Sequence, residues 1–135
     1  MFLPYPDQLH KATFLERPNR FIIRGKKEDG EVITAHLPDP GRLKELLLPG
    51  RPIWLRYVDD PNRKTKWSAV LCESEDGRVY VSLDTTLPNR LITRALQEGR
   101  LSPLSAYRYV QREYTFAGAR WDFCWKRIIT PCCWK

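Results

Sequence analysis

The chain has 135 residues, of which 42% are hydrophobic and 12% aromatic, so it can bury a core and extensive disorder is excluded. Its formal net charge of +7 favours an anionic partner such as nucleic acid, although Lys126, Arg127 and Lys135 carry three of these charges and leave only +4 on residues 1–123. No apolar stretch approaches the roughly 20 residues of a membrane helix and no signal peptide is recognisable, so we expect no membrane partner and a cytoplasmic location, where structural disulfides are not expected.

The first eighty residues show short apolar segments separated by turn signals. The run FII is followed by the acidic turn KKEDGE and the segment VITAHL, which predicts a hairpin. The segment RPIWLRYV alternates with a period of two, with Ile53 and Leu55 on one side and Trp54 on the other. The segments WSAVLCE and RVYVSL flank the turn SEDG and predict a second hairpin.

The segment DPGRLKELLLPG predicts one short helix between these strands. Asp39 can cap the free N–H groups, and Pro40 suits the first helical position, where its missing N–H is not needed. Leu43, Leu46 and Leu47 share one face of such a helix. About five strands with one short helix are typical of the oligonucleotide/oligosaccharide-binding (OB) fold. We therefore expect a mainly β protein with α+β character, built on an N-terminal OB-like five-stranded barrel.

The pattern changes after residue 83. The segment TLPNRLITRALQEGRL predicts a helix that Gly99 ends. The segment YRYVQREYTFAGARWDF then predicts two strands joined at Ala117-Gly118. The sequence so divides into an OB-like domain at 1–83, the start of a second α/β domain at 84–123, which is too short to close its own core, and a tail of different composition at 124–135.

Four separated segments resemble one known family, the sugar fermentation stimulation proteins of bacteria and archaea. They are ITAHLPDPGRLKELLLPG, NRKTKWS, TLPNRLITRAL and REYTFAGARWDF, and the resemblance covers essentially residues 10–123. It implies an N-terminal OB-like domain and a C-terminal domain similar to the PD-(D/E)XK nuclease fold. It also implies DNA binding and a part in transcription regulation of sugar (maltose) catabolism.

The resemblance further implies a metal-binding pattern, an Asp on one strand and Glu-x-Lys on the next. Asp122 matches the first, but the chain then reads CWKRIITPCCWK. One carboxylate cannot hold Mg²⁺ by itself; Glu98 and Glu113 are candidate helpers, whereas Arg94 stands where the family would carry a Glu. We therefore expect Asp122 to be a vestigial catalytic residue here, with no cofactor and no nuclease chemistry. Asp122 would bind Mg²⁺ only in a full-length version.

The tail at 124–135 holds three of the four cysteines and two of the five tryptophans. The codons of Cys-Trp-Lys read from their third base encode Leu-Glu, and the same shift turns PCCWK into an apolar run ending in Glu. The codons after that Glu can then be Val, Ile or Met and Lys, which restores Glu-x-Lys. We hypothesise a frameshift near codons 123–124 and a truncated product, which resequencing would test. Adjacent Cys132 and Cys133 lack the ligand spacing of a zinc site.

Basic residues flank the first hairpin and the loop DDPNRKTKWS, where Trp67 could stack on a base as aromatic side chains of OB folds do. The alternative is a solvated loop with Trp67 packed in the core. Asp59 and Asp60 in the same loop weaken its positive electrostatic potential. Arg42 could hold a phosphate at the helix N-terminus, or the segment around it and His36 could be only a turn and cap. The predicted nucleic-acid-binding residues are Arg20, Arg24, Lys26, Arg42, Arg63, Lys64, Lys66 and Trp67.

Three functions stay open at this point. DNA binding by the barrel is favoured; a Mg²⁺-dependent nuclease in the full-length protein and a protein- or oligosaccharide-binding OB module are the alternatives. A homo-oligomer is compatible with all three. Salt separates the first from the last, because DNA affinity falls as salt rises.

Overall fold

The computed structural model describes residues 3–5 and 7–127, in two compact units, Pro4–Thr85 and a second unit that begins at Thr86. No helix in these described residues is long and apolar enough to cross a membrane. The elements in chain order are β1 (Leu9–Asn19), β2 (Ile22–Lys27), β3 (Val32–His36), β4 (Pro52–Tyr57), β5 (Trp67–Glu73), β6 (Tyr80–Ser82), α1 (Leu87–Gln97), β7 (Tyr107–Phe116) and β8 (Ala119–Arg127).

Strands β1 to β5 close into a barrel in the first unit. Neighbours run in the order β3-β2-β1-β4-β5 and are antiparallel, and a parallel pairing of β3 with β5 joins the two ends of this sheet. In that pairing Ala35 lies opposite Trp67 and His36 opposite Ser68. Strand β6 extends the sheet beyond β5. The predicted OB-like five-stranded barrel is confirmed.

Period-two alternation places the core inside this barrel. Ile53 and Leu55 on β4 are 1% and 0% exposed, as the alternation of RPIWLRYV predicts, and Trp54 between them is only partly buried. The hairpins β2–β3 and β5–β6 are also confirmed. The buried cluster comprises Ala12, Phe14, Ile23, Ile33, Ala35, Leu37, Leu47, Ile53, Leu55, Ala69, Cys72 and Leu83.

The predicted helix in DPGRLKELLLPG is wrong, because this segment forms turns. Asp39 Oδ1 accepts a hydrogen bond from the Gly41 N–H at 2.7 Å, which closes a local turn instead of capping a helix. Leu43 has a φ of 50°, in the left-handed region that a helix excludes. The Arg17 guanidinium donates to the carbonyls of Asp39 and Gly41, which an α-helix would need as acceptors. Leu47 is nevertheless buried, so the leucine spacing predicts packing without predicting the backbone.

The second unit begins with the predicted helix. Helix α1 ends near Gly99, whose φ of 64° suits the end of a helix. The β7–β8 hairpin turns through Ala117 and Gly118, both at positive φ as a tight two-residue hairpin turn requires. Both predictions are confirmed. The assignment of this unit as the start of a nuclease-like domain stays a prediction. Residues 124–127 of the predicted aberrant tail continue β8, and 128–135 lie outside the described residues.

Candidate nucleic-acid interface

The outer surface of β2, next to β3 in the sheet, carries cationic side chains on the side opposite the core. Arg24 and Lys26 alternate with the buried positions Ile23 and Gly25, so both point outward and are exposed. Arg24 Nη1 lies 2.8 Å from Glu16 Oε1 in an exposed ion pair. We define the β2–β3 face as Arg24 and Lys26 on β2, His36 on β3 and Ser68 on β5, together with the side chains next to them.

Backbone pairing extends the β2–β3 face onto β5. Ile22 lies opposite His36, and His36 lies opposite Ser68 in the parallel pairing. Arg63 Nη2 donates to Ser68 Oγ at 2.7 Å, which fixes the guanidinium on this side of the barrel. Partial burial lowers the pKa of His36, and the nearby charge of Arg63 lowers that pKa further. Arg63 and His36 are thus both neighbours of Ser68.

Three arginines meet at the end of β1, where Arg17 organises the backbone of the other two. Its Nη2 donates to the Arg20 carbonyl at 2.7 Å, and its Nη1 donates to the Arg42 carbonyl at 2.8 Å. The Leu37 N–H donates to the Phe21 carbonyl at 2.7 Å, which ties the β1–β2 turn to the residue after His36. Arg20 and Arg42 are both exposed. The structure therefore brings these two predicted residues next to the His36 end of the β2–β3 face.

The β4–β5 loop carries the two remaining predicted lysines. Lys64 is exposed. Lys66 Nζ donates to the Asp60 carbonyl at 3.2 Å and lies 3.6 Å from Asp59 Oδ1, both in the same loop. These contacts offset part of the positive charge of Lys66, as expected from the acidic residues in the same loop. Lys66 is therefore less available to a phosphate than Arg63.

Trp67 is partly buried and packs against the barrel core. Its ring meets His10 and Tyr57 edge-on, with centroid distances of 5.1 and 5.2 Å. Lys27 Nζ lies 5.6 Å from the centre of the same ring, within cation–π range. This arrangement agrees with the second option offered by the sequence, in which Trp67 packs against the core instead of stacking on a base. A stacking role for Trp67 stays a prediction.

The family model described as the SfsA N-terminal OB domain matches residues 15–82, about half of the chain. The chain belongs to the SfsA family. Relatives named sugar fermentation stimulation protein homolog include one from Shouchella clausii, 47% identical over 116 residues that cover 85% of this chain and 50% of the relative. Another, from Moorella thermoacetica, is 43% identical over 130 residues, 96% of this chain and 55% of the relative. The chain thus spans about half the length of these curated SfsA relatives.

A solved structure of SfsA from Pyrococcus furiosus in complex with Ca²⁺ shares this fold. Its TM-score is 0.74 at 24% sequence identity, and the match covers 94% of this chain and 53% of that one. The resemblance seen in the sequence is therefore confirmed. The matched SfsA domain at 15–82 contains every predicted nucleic-acid-binding residue. The sequence does not assign a role to two residues that organise the face. Arg17 is visible only as one of the basic residues at the first hairpin, because most of its partners lie 22–25 residues away, and Ser68 belongs to no recognisable motif.

Asp122 lies on β8, in the part of the SfsA chain beyond the matched OB domain. The flanking pairs Arg112–Phe123 and Tyr114–Trp121 place Asp122 opposite Glu113 in the hairpin. Glu113 Oε2 lies 3.1 Å from Arg120 Nε. In the described residues, no group of three or more His, Cys, Asp or Glu side chains could hold a metal ion. Glu98, the other candidate helper, accepts hydrogen bonds from Arg94 and Arg100, which lower its pKa.

Acidification should destabilise the barrel through His36. Its folded-state pKa is lowered from 6.5, so between these values the unfolded chain binds more protons and stability falls as pH falls. The loss begins below about pH 6.5 and ends below the folded-state pKa. Urea denaturation of wild type and His36→Gln at pH 7.5 and 5.5 measures it. The difference between the two pH values should be smaller in His36→Gln; equal differences would contradict the assignment.

Proposed function

We propose that this SfsA-family chain binds DNA through the β2–β3 face, without strong sequence preference, and acts in the regulation of sugar catabolism. The single observation that carries the proposal is the pairing of Ile22, His36 and Ser68. This row of neighbours brings segments that carry cations side by side in the sheet, which supports a single binding face. The segments contribute Arg24 and Lys26 from β2, Arg20 and Arg42 from the turns that Arg17 holds, and Arg63 from the β4–β5 loop.

The chemistry of these side chains suits phosphate oxygens. Arginine presents a planar fork of N–H donors that binds phosphate with two parallel hydrogen bonds. Arg63 uses one nitrogen on Ser68, so its guanidinium is held in place while other donors remain for a ligand. Contacts to phosphates position a protein on DNA and carry no base information, which is why we propose sequence-independent binding.

Acidic neighbours limit the strength of this face. Arg24 must exchange its ion pair with Glu16 for a phosphate, and Lys66 must leave the Asp60 carbonyl. Because exposed ion pairs contribute only about 0–1 kcal/mol, this exchange is not prohibitive. We therefore assign the largest contributions to Arg63 and Lys26 and smaller ones to Arg24 and Lys66.

Fluorescence anisotropy with a labelled duplex tests the proposal. Binding should saturate at micromolar protein in low salt, and unlabelled duplexes of unrelated sequence should compete equally well. Strong preference for one sequence would contradict the absence of base readout. Binding that does not change with salt, or binding of an uncharged oligosaccharide instead, would favour the alternative in which the OB module takes another ligand.

A second candidate function is Mg²⁺-dependent DNA cleavage by a full-length protein. The observation in its favour is Asp122 opposite Glu113 in the β7–β8 hairpin. Carboxylate oxygens are ligands for hard cations such as Mg²⁺ and Ca²⁺, and SfsA of Pyrococcus furiosus was solved with Ca²⁺. We propose Asp122 as one ligand of a site whose Glu-x-Lys strand the frame-restored chain would supply; two carboxylates alone leave most of the coordination sphere to water.

The 135-residue chain should therefore not cleave plasmid DNA in Mg²⁺, whereas the frame-restored chain should. In the restored chain, Asp122→Asn should lower the cleavage rate by about 100-fold or more, since a catalytic metal contributes several kcal/mol. Agarose gels of supercoiled plasmid report both rates. Cleavage by the 135-residue chain, or full activity of the Asp122→Asn variant, would refute this second function. Neither result affects DNA binding by the barrel.

A further inference from the structure

The outer surface of β4 carries an aromatic pair beside a lysine, none of them among the residues that define the β2–β3 face. Lys11 on β1 lies opposite Trp54 on β4, and Trp54 lies opposite Leu71 on β5. The Trp54 and Tyr80 rings meet edge to face, with centroids 4.9 Å apart and planes at 82°. Lys11 Nζ lies 5.9 Å from the centre of the Trp54 ring. We call Lys11, Trp54 and Tyr80 the β4 face.

The barrel core does not account for this aromatic pair. Neither Trp54 nor Tyr80 belongs to the buried cluster, and Tyr80 is 65% exposed. An exposed aromatic ring next to a half-buried one leaves apolar surface in contact with water, which a bound ligand would remove. The pair is also held by two different hairpins, so its geometry does not depend on one flexible loop.

The charges around the pair favour an anion on its Lys11 side only. Lys11 is exposed next to Trp54. Arg56 follows two positions along β4, so it points to the same side, and its Nε lies 3.7 Å from Asp7 Oδ2. Glu73 lies opposite Tyr80 in the β5–β6 pairing and is the acid nearest in register. Asp7 offsets the charge of Arg56, so Lys11 makes one side of the aromatic pair cationic and Glu73 makes the other side acidic.

We propose that the β4 face is a stacking subsite for single-stranded nucleic acid, with a base on Tyr80 and Trp54 and a phosphate at Lys11. The proposal rests on the proposed DNA binding and adds the strand state of the ligand and a second site. A base has an exposed flat surface only in a single strand, because in a duplex both of its faces are already stacked. Aromatic platforms beside cations are the general solution for such ligands. An uncharged sugar or a proline-rich peptide would use the rings but not Lys11.

Three ligands and three variants test this subsite in the 135-residue chain. The ligands are a labelled oligothymidylate of about 12 nucleotides, within the length that one OB fold covers, an abasic strand of equal length, and a duplex. Tyr80→Ala removes the exposed ring, Tyr80→Phe keeps it, and Tyr107→Ala removes an exposed tyrosine outside the barrel as a matched control. Circular dichroism checks that each variant is folded.

Tyr80→Ala should weaken oligothymidylate binding about tenfold and leave the abasic strand and the duplex within about twofold. Tyr80→Phe and Tyr107→Ala should bind all three ligands like wild type. If wild type binds duplex and single strand but Tyr80→Ala changes neither, the subsite is refuted while DNA binding stands. If wild type binds no nucleic acid, the proposed function itself fails. An equal loss for the abasic strand would also overturn the subsite, because no base would then be stacked.

Discussion

Replacing Arg17 with methionine should lower the free energy of unfolding of the barrel by about 3 kcal/mol. Arg17 donates to the carbonyls of Arg20, Asp39, Gly41 and Arg42 at 2.7–3.3 Å. Each hydrogen bond from a charged donor contributes about 1.5–3 kcal/mol when buried. The total is smaller than the sum because two of these bonds are exposed and water can replace them. Methionine keeps an unbranched apolar stem and removes only the donors.

Arg24→Met is the matched control for this prediction. It makes the same chemical change at a side chain whose described bond is one exposed ion pair with Glu16, of a kind that contributes about 0–1 kcal/mol. Urea denaturation followed by circular dichroism measures both variants. Arg17→Lys should recover only part of the loss, because an ammonium cannot extend two parallel donors to the two turns at once. Equal stability of Arg17→Met and Arg24→Met would show that the carbonyl contacts contribute nothing.

The Arg17 contacts also explain why one sequence prediction failed. The leucines of DPGRLKELLLPG have helical spacing, and the same spacing serves a turn-rich segment that buries Leu47 against the barrel. The competing interaction comes from a guanidinium more than twenty residues earlier, which takes the carbonyls that a helix needs. Local pattern contains no information about such a distant donor. By contrast, the hairpins and the OB-like barrel follow from period-two alternation and turn residues, which are local.

The candidate site shows the same division between local and long-range information. Loops rich in Arg and Lys can be found in the sequence one by one. Their meeting on one face depends on the parallel pairing of His36 with Ser68, which connects segments about thirty residues apart. The packing of Trp67 likewise involves His10, which lies on β1 and is far from Trp67 in the sequence. The β4 face was missed because Lys11, Trp54 and Tyr80 are scattered along the chain.

Removing three cations from the β2–β3 face should nearly abolish DNA binding at physiological salt. In the variant Arg24→Gln, Lys26→Gln, Arg63→Gln, the slope of log affinity against log salt should become shallower by about 2–3, since each phosphate contact releases about 0.9 of a counterion. Affinity at low salt should fall about 100-fold. Anisotropy titrations between roughly 50 and 200 mM salt measure both quantities, in the range where binding is most sensitive to ion release.

A control with the same loss of net charge separates a binding face from general attraction. Arg78, Arg100 and Arg120 are exposed arginines that do not belong to the β2–β3 face, with side chains 84, 57 and 76% exposed. Their triple exchange to Gln should lower affinity only a few-fold, because charges that do not contact the phosphates act on DNA only through a field that salt screens within about 8–10 Å. If both triple variants lose the same affinity and the same salt slope, net charge alone explains binding. If only the variant of Arg24, Lys26 and Arg63 loses affinity and salt slope, the β2–β3 face is the surface that contacts the phosphates.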